Sequence, residues 1–564
     1  MKPVSRVIVL GLVLLFCLHA VGCGDEEIVM VPAEMPIRVS VVAAAGSLDT
    51  GGRVALRAVV ETLSEGPLTY TWLSSTGSFS NSRAESTIWT APDDPGAYGL
   101  AVIVTDRTAV GIGNATVDVG AYVATVTPKY LGASYCAVCH NGGIGGDEFA
   151  AWSQSAHAGA ITALTNIGQG NNPTCLGCHT VGTYGIDADP GVPIDNGGYD
   201  ETAVARLAGV QCENCHGAGS EHPGDKTDSP LAVSIDASLC GECHNDAHHP
   251  TYDEWDESLH SEVIEDVAKR ASCAKCHNGI ESMRYLDDPE GYTQLASDLT
   301  ETAPVECVVC HEPHGNGNPG QLRDAAVTDR ALPNAVLVEA AGAGRLCMAC
   351  HNGRRTDTQV EAQIQNGGRF GPHHSVQGDM LAGVNAYERV DTSFAFASSK
   401  HILVQDACVT CHTHSHEGDI ANGIPNFTGH NFEPQVEACQ PCHGELGDFE
   451  DVIAKDDFDG DGTIEGVQEE VDGLLDVLEA TIVATARSPE AAAALTADFE
   501  GELGDTTVTT VAQRKAAYNW TFVAYDGSRG VHNTTYAIQL LQRSILSLDP
   551  AALDSRAILL TQSD

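Results

Sequence analysis

Nine times the chain sets two cysteines three positions apart and follows the second directly with a histidine. The motifs are CAVCH (Cys136, Cys139, His140), CLGCH (Cys175, Cys178, His179), CENCH (Cys212, Cys215, His216), CGECH (Cys240, Cys243, His244) and CAKCH (Cys273, Cys276, His277). CVVCH (Cys307, Cys310, His311), CMACH (Cys347, Cys350, His351), CVTCH (Cys408, Cys411, His412) and CQPCH (Cys439, Cys442, His443) complete the set. The chemistry this pattern serves is covalent haem attachment, in which the thiols form thioethers to the porphyrin vinyls and the imidazole binds the iron. Structural zinc also uses Cys-x-x-Cys, but it does not need histidine at the very next position. With 23 histidines in 564 residues, chance supplies that neighbour about once in 25 positions, and here it occurs at all nine. Of 20 cysteines only Cys17 and Cys23 lie outside the motifs, so none is left for a disulfide.

A haem iron takes a sixth ligand, and the remaining histidines are grouped as if to supply it. Nine serve the motifs and His19 lies in the N-terminal leader, which leaves thirteen. His157 in WSQSAH, His260 in WDESLH and His401 in FASSKH share the form aromatic-x-x-Ser-x-His. His222, His314 and either His414 or His416 follow a motif closely; His248/His249 and His373/His374 are doublets, and His430 and His532 are single. The second member of each doublet is expected to be a surface or otherwise satisfied histidine. His222 is expected to serve the haem of His216 or a neighbouring one. Imidazole is the expected sixth ligand throughout, because no methionine recurs at a fixed offset from the motifs.

These residues need short helical turns that present both thiols to one porphyrin edge. The motifs fall into three sets of three, each containing one aromatic-x-x-Ser-x-His element after its first motif, so a divergent duplication is expected. CLGCHTVGTYG, Gly197 to Tyr199, GVQCENCHGAGSEHPG and CGECH followed by HHPTYDEWDESLH resemble the multihaem cytochromes related to the tetrahaem cytochrome c of nitrification and to hydroxylamine oxidoreductase. The resemblance spans about Tyr130 to His443 and implies closely packed haems with two histidine ligands inside a loop-rich, mainly helical wrapping. It carries no activity with it.

Residues 36–127 differ in composition. Val54, Leu56, Ala58 and Val60 are interleaved with Arg53, Ala55, Arg57 and Val59, and Gly and Pro punctuate such runs, which predicts an all-β sandwich packed around Trp72. LTYTWLSSTGSFS and TIWTAPDDPGAYGLAVIVTD resemble polycystic-kidney-type and immunoglobulin-like domains. Residues 130–450 form the expected nonahaem domain, and 451–564 a helical C-terminal region. That region opens with DFDGDGTIEGVQ, where Asp457, Asp459, Asp461, Thr463, Glu465 and Gln468 occupy the liganding positions of a calcium loop, with glutamine where the bidentate glutamate is expected. The closing AAYNWTFVAYDGSRGVHNTTYAIQLLQRS resembles the end of several multihaem cytochromes, and His532 matches the histidine that reaches back to a haem there. The helix after it offers Tyr536, Leu540, Leu541 and Ile545 on one side, suited to cover porphyrin.

Residues 1–22 read as an export signal, and Ala20-Val21-Gly22-Cys23 resembles a lipobox that would make Cys23 a lipidated first residue, followed by a linker to residue 35. With 77 acidic against 29 basic residues and a formal charge of −48, nucleic acid is a poor partner. Aromatic residues make up only 5%, so porphyrins are expected to fill much of the interior. The cofactors expected are nine haems c and a calcium ion. The function expected is exported electron transfer between redox proteins, other multihaem cytochromes or an extracellular acceptor, from a membrane anchor on the outer-membrane, cell-surface or periplasmic side. The rival is an oxidoreductase of the hydroxylamine oxidoreductase, nitrite reductase or tetrathionate reductase kind with one open haem; no CxxCK occurs here.

Overall fold

The computed structural model describes residues 37–561 apart from 45–46, 63–66, 107–108, 121–129, 143–145, 183–197, 200–204, 222–233, 327–330 and 333–335. The leader, Cys23, the linker and His222 lie outside the described residues.

The N-terminal part is a sandwich of two four-stranded sheets. β1 (Ile37–Ala43), β3 (Arg53–Thr62), β6 (Ser86–Thr90) and β5 (Ser78–Phe79) form one in that order. The other runs β2 (Ser47–Leu48), β8 (Val110–Val119), β7 (Gly96–Thr105), β4 (Thr69–Ser74). Along β3 the expected alternation holds: Val54, Leu56 and Ala58 are buried while Arg53, Ala55 and Arg57 face water. Trp72 is buried as expected, its Nε1–H donating to the Ala84 carbonyl at 2.8 Å. Trp89, fully buried, shares the core with it.

One face of the sandwich receives the residue next to the first motif. Tyr135 lies flat over Gly99 on β7, where a Cβ would fall 1.7 Å from the tyrosine ring, so only glycine permits the contact. Asn114 Nδ2 donates to Tyr135 Oη at 3.1 Å. Burial pushes the phenol up to about 12.

Through the described residues from 130 to 450 the chain is loops and short helices, mostly of one turn, the longest being Asp357–Asn366. Each motif sits on or against such a turn, for example Pro173–His179, Cys212–His216 and Cys408–His412. The apolar clusters of this region are small, one around Tyr285, Leu286 and Val309 and another around Leu332, Met348 and Leu381.

The C-terminal region is a true helical core. Its helices are α1 (Val467–Ala484), α2 (Pro489–Ala497), α3 (Val511–Asp526) and α4 (Thr534–Leu548), the last three started by the polar caps Ser488, Thr510 and Asn533. Ser488 accepts from the Ala491 amide and Thr510 from that of Gln513, which satisfies N–H groups that a helix start leaves without partners. Leu474, Leu478, Phe522, Tyr536 and Leu541 fill the core, and Val360, Ile364, Met380 and Tyr387 join it from the motif region. Tyr536, Leu540, Leu541 and Ile545, expected to cover porphyrin, are instead buried in this protein core. Among the described residues no helix is long and apolar enough to cross a membrane.

Candidate haem-iron centres

Two imidazoles bound to opposite faces of one iron at about 2 Å each place their ring centres about 6 Å apart. Eight of the nine motif histidines face a second histidine at that spacing. His157 stands 6.2 Å from His244, His249 6.4 Å from His179 and His314 6.0 Å from His216. His260 stands 6.2 Å from His351, His373 5.9 Å from His277 and His430 6.3 Å from His311. His401 stands 6.0 Å from His443, and His532 6.1 Å from His412. The ninth, His140, has its Nδ1 3.7 Å from a Glu148 carboxylate oxygen.

The rings are held by the nitrogen that would not meet a metal. Nδ1 of His311 lies 2.7 Å from the Gly320 carbonyl, that of His412 2.8 Å from Phe432 O, and that of His401 2.6 Å from Val531 O. His373 Nδ1 lies 2.8 Å from Ser375 Oγ and His532 Nδ1 2.7 Å from Asp526 Oδ1. Anchoring Nδ1 fixes the tautomer and aims Nε2 at the facing ring, as metal-binding histidines require. Burial, aided by neighbouring imidazoles or by Arg354, holds His244, His260 and His373 down at about 4. They are therefore neutral at neutral pH, the form that binds metal.

The thiols fit the same group. All eighteen motif cysteines are free of disulfides. The neighbouring thiols of Cys212, Cys307 and Cys408, together with burial, push the thiols of Cys136, Cys240 and Cys347 up. Cys178 beside Cys243 and Cys276 beside Cys350 act alike on the second thiols, with burial adding to the rise. Burial pushes Cys215 up to about 11 and raises Cys411. Anchored facing imidazoles and paired thiol edges are what closely spaced haems c need.

All three histidines of the aromatic-x-x-Ser-x-His elements take facing positions, and two of the elements are built alike. Trp152 Nε1–H donates to the Val210 carbonyl at 3.0 Å and the Val210 amide to His157 O at 3.1 Å. Trp255 donates to Val305 O at 2.9 Å and the Val305 amide to His260 O at 3.0 Å. The third element is held by the C-terminal helices instead: Ala397 N donates to Gln539 Oε1 at 2.8 Å and Ser399 N to Asn533 Oδ1 at 2.7 Å.

Four described candidates face no motif histidine in this way. His248 is exposed and His416 is exposed and stacked on Phe427, its ring 5.2 Å away. His374 stacks on Tyr525 at 3.8 Å, and His414 is half-buried without a facing motif ring. Each doublet thus places one member opposite a motif, but in the first it is the second member, His249, because Asp246 Oδ1 takes the amides of both His248 and His249 and folds the turn. Neither His414 nor His416 faces a motif histidine, whereas His430 faces His311, its amide donating to the distant Glu254 carboxylate at 2.8 Å.

In the acidic loop, ligand oxygens of Asp457, Asp459 and Glu470 converge, as do those of Asp459, Asp461 and Glu465. Gln468 turns away, its Nε2 donating to Ser528 O at 3.4 Å. Glu470, two residues on, takes the amides of Phe458 and Asp459 and was not foreseen. Thr463 stays in the loop, its amide donating to Asp461 Oδ1 at 2.6 Å.

The family model described as cytochrome c554 and c-prime matches residues 135–217, which hold the first three motifs. C-type polyheme cytochrome OmcB of Geobacter sulfurreducens is 27% identical over 199 residues, 32% of this chain and 25% of that one. Multiheme cytochrome MtrA of Shewanella baltica is 26% identical over 183 residues, 28% of this chain and 50% of that one. The chain therefore matches a quarter to a half of the length of these relatives. Among solved structures, the undecaheme cytochrome from the S-layer of Carboxydothermus ferrireducens aligns with 76% of this chain and 70% of its own at 16% identity and a TM-score of 0.46.

Proposed function

We propose that this chain, a multihaem c-type cytochrome, is an exported electron carrier with nine haems c, each iron held between two imidazoles. The observation that carries the reading is the set of eight facing pairs with ring centres 5.9–6.4 Å apart. His157, His249, His260, His314, His373, His401, His430 and His532 supply the sixth ligands opposite His244, His179, His351, His216, His277, His443, His311 and His412, and His222 is left as the candidate opposite His140. Bound haem supplies a one-electron ferric/ferrous couple, and two imidazoles leave no coordination site for a substrate. The residues around it set the potential: the Nδ1 partners determine how basic each imidazole is, and burial sets the local dielectric.

The acidic loop binds calcium through Asp457, Asp459, Asp461, Glu465 and Glu470, bracing the start of α1. Cys23 carries lipid and tethers the chain outside the cytoplasm, with the β-sandwich as a polycystic-kidney- or immunoglobulin-like spacer before the first motif. Its partners are redox proteins or other multihaem cytochromes, with the strongly acidic surface favouring cationic contacts.

Low-temperature EPR of the oxidised, haem-loaded protein tests the reading. The expected result is low-spin ferric signal alone. One high-spin iron in nine would overturn it in favour of an enzyme of the hydroxylamine oxidoreductase or nitrite or tetrathionate reductase kind.

A further inference from the structure

The three residues that end at the first cysteine of CENCH and of CVVCH, Val210-Gln211-Cys212 and Val305-Glu306-Cys307, make the same contacts in the same order. The first residue holds a facing histidine by its backbone. The Val210 amide donates to His157 O at 3.1 Å and the Val305 amide to His260 O at 3.0 Å, while their carbonyls accept from Trp152 and Trp255. The second residue reaches a different motif with its side chain. Gln211 Oε1 accepts from the Ala133 amide at 2.5 Å, and Glu306 Oε2 from the Ala237 amide at 2.8 Å. Ala133 and Ala237 each stand three residues before a first cysteine, Cys136 and Cys240, and their carbonyls accept from the amides of Ala137 and Gly241, four residues on. Each side chain therefore takes an N–H at the opening of the turn that carries those thiols, where a helix start leaves it without a partner of its own.

Both side chains are buried. Gln211 commits its Nε2 to the Arg206 and Ala208 carbonyls at 2.9 and 2.8 Å, which leaves Oε1 aimed at Ala133. Before CVTCH the arrangement recurs one residue out of step: Asp406 Oδ1, two before Cys408, accepts at 3.0 Å from the Ala343 amide, four before Cys347. The left-handed backbone of Asp406 and Ala407, with φ of 60° and 44°, accompanies that displacement.

The two strips meet at one pair of imidazoles. The backbone of His157 is held by Val210, while its facing partner His244 belongs to the turn that Glu306 caps. We propose that Glu306 is a positioning residue for the His157–His244 pair, and Gln211 its counterpart for the turn of Cys136 and His140, with the acceptor oxygen and not the charge as the active feature. Each ring of the pair takes its place from a different strip, so the contact to Ala237 sets where His244 stands against His157. The neutral Gln211 separates acceptor from charge, because it makes the same contact without a carboxylate. This assignment deepens the reading of two imidazoles per iron and rests on it.

The test is EPR of the full haem-loaded chain in its oxidised form. His157→Ala marks the centre, since losing one imidazole converts that iron from low to high spin. Glu306→Leu and Glu306→Gln both remove the charge, but only leucine removes the acceptor. Ala237→Pro removes the N–H from the other side and keeps the carboxylate, at a residue whose φ of −62° suits proline. The expected result is that Glu306→Leu and Ala237→Pro shift the same low-spin signal that His157→Ala removes, and that Glu306→Gln leaves it at its wild-type position. Signals that stay in place in the leucine or proline variant, with only a lower unfolding midpoint, would make Glu306 a merely structural cap and overturn the proposal. A shifted signal in Glu306→Gln would overturn it as well, by making the charge the active feature. If the leucine variant does not fold, the proline and glutamine variants decide in the same way. No high-spin iron in His157→Ala would instead overturn the two-imidazole reading, and this assignment with it.

Discussion

The rings of His412 and His532 lie 6.1 Å apart, although α1, α2 and α3 separate them in the chain. His532 is held from behind by Asp526, whose buried carboxylate oxygen lies 2.7 Å from Nδ1. Burial alone would disfavour a charged ring there, but the carboxylate more than offsets it and raises the affinity of His532 for a proton. The same negative charge strengthens the imidazole as a donor to ferric iron. His532→Ala is expected to convert one of nine low-spin irons to high spin in EPR. Asp526→Asn, which keeps the hydrogen bond and removes the charge, is expected to keep all irons low-spin and to raise one midpoint potential in a redox titration. An unchanged spin state in His532→Ala would separate the C-terminal region from the haem array.

The haem-bearing residues are legible in sequence because covalent attachment fixes their spacing locally, and the β3 alternation is legible because strand geometry has a period of two. The partners of the motif histidines are not, since tertiary packing chooses them. His430 looked isolated until the fold brought Glu254 to its backbone, and His249 is selected over His248 by a turn built on Asp246. Gln468 occupies the twelfth loop position in sequence, yet the chain bends so that Glu470 reaches the loop amides. Trp89 was not singled out in the sequence, since its share of the core depends on the opposing sheet.

Trp255 ties the His260 segment to the strand of residues before Cys307 through a hydrogen bond to Val305 O. Trp255→Phe keeps the apolar ring and removes the donor, leaving that carbonyl without this partner. A loss of about 1 kcal/mol is expected, read as a lower unfolding midpoint, with the His260-facing iron showing partial high-spin character. Trp152→Phe is expected to act alike on the motif faced by His157. A spectroscopic change in one variant without the other would contradict the equivalence of the two aromatic-x-x-Ser-x-His elements.

Calcium addition is expected to raise the unfolding midpoint of the chain and chelator to lower it, with the haem absorption unchanged. Calcium modules outside cells commonly bind with dissociation constants of about 10⁻⁴ to 10⁻³ M, so millimolar calcium is the appropriate titration range. Glu470→Gln is expected to abolish the response because it removes a carboxylate that converges with Asp457 and Asp459. Gln468→Ala is expected to leave it intact, and a loss of response there instead would return the twelfth position to the site.

Asp379 is buried between Gly353, whose amide donates to it at 2.5 Å, and the Asn385 amide. Burial pushes its carboxyl up to about 6 from an ordinary 3.8. The folded state thus binds the proton more tightly than the unfolded one. Its contribution to stability is full below the unfolded pKa, falls as pH rises toward about 6 and stays low above that. The span amounts to about 3 kcal/mol at this order of magnitude. Asp379→Asn keeps an acceptor for Gly353 and cannot ionise, so its unfolding midpoint relative to wild type is expected to be higher at pH 7 than at pH 4. Calorimetry at the two pH values decides the matter: an equal difference at both would mean that Asp379 ionises in the folded chain as freely as in the unfolded one.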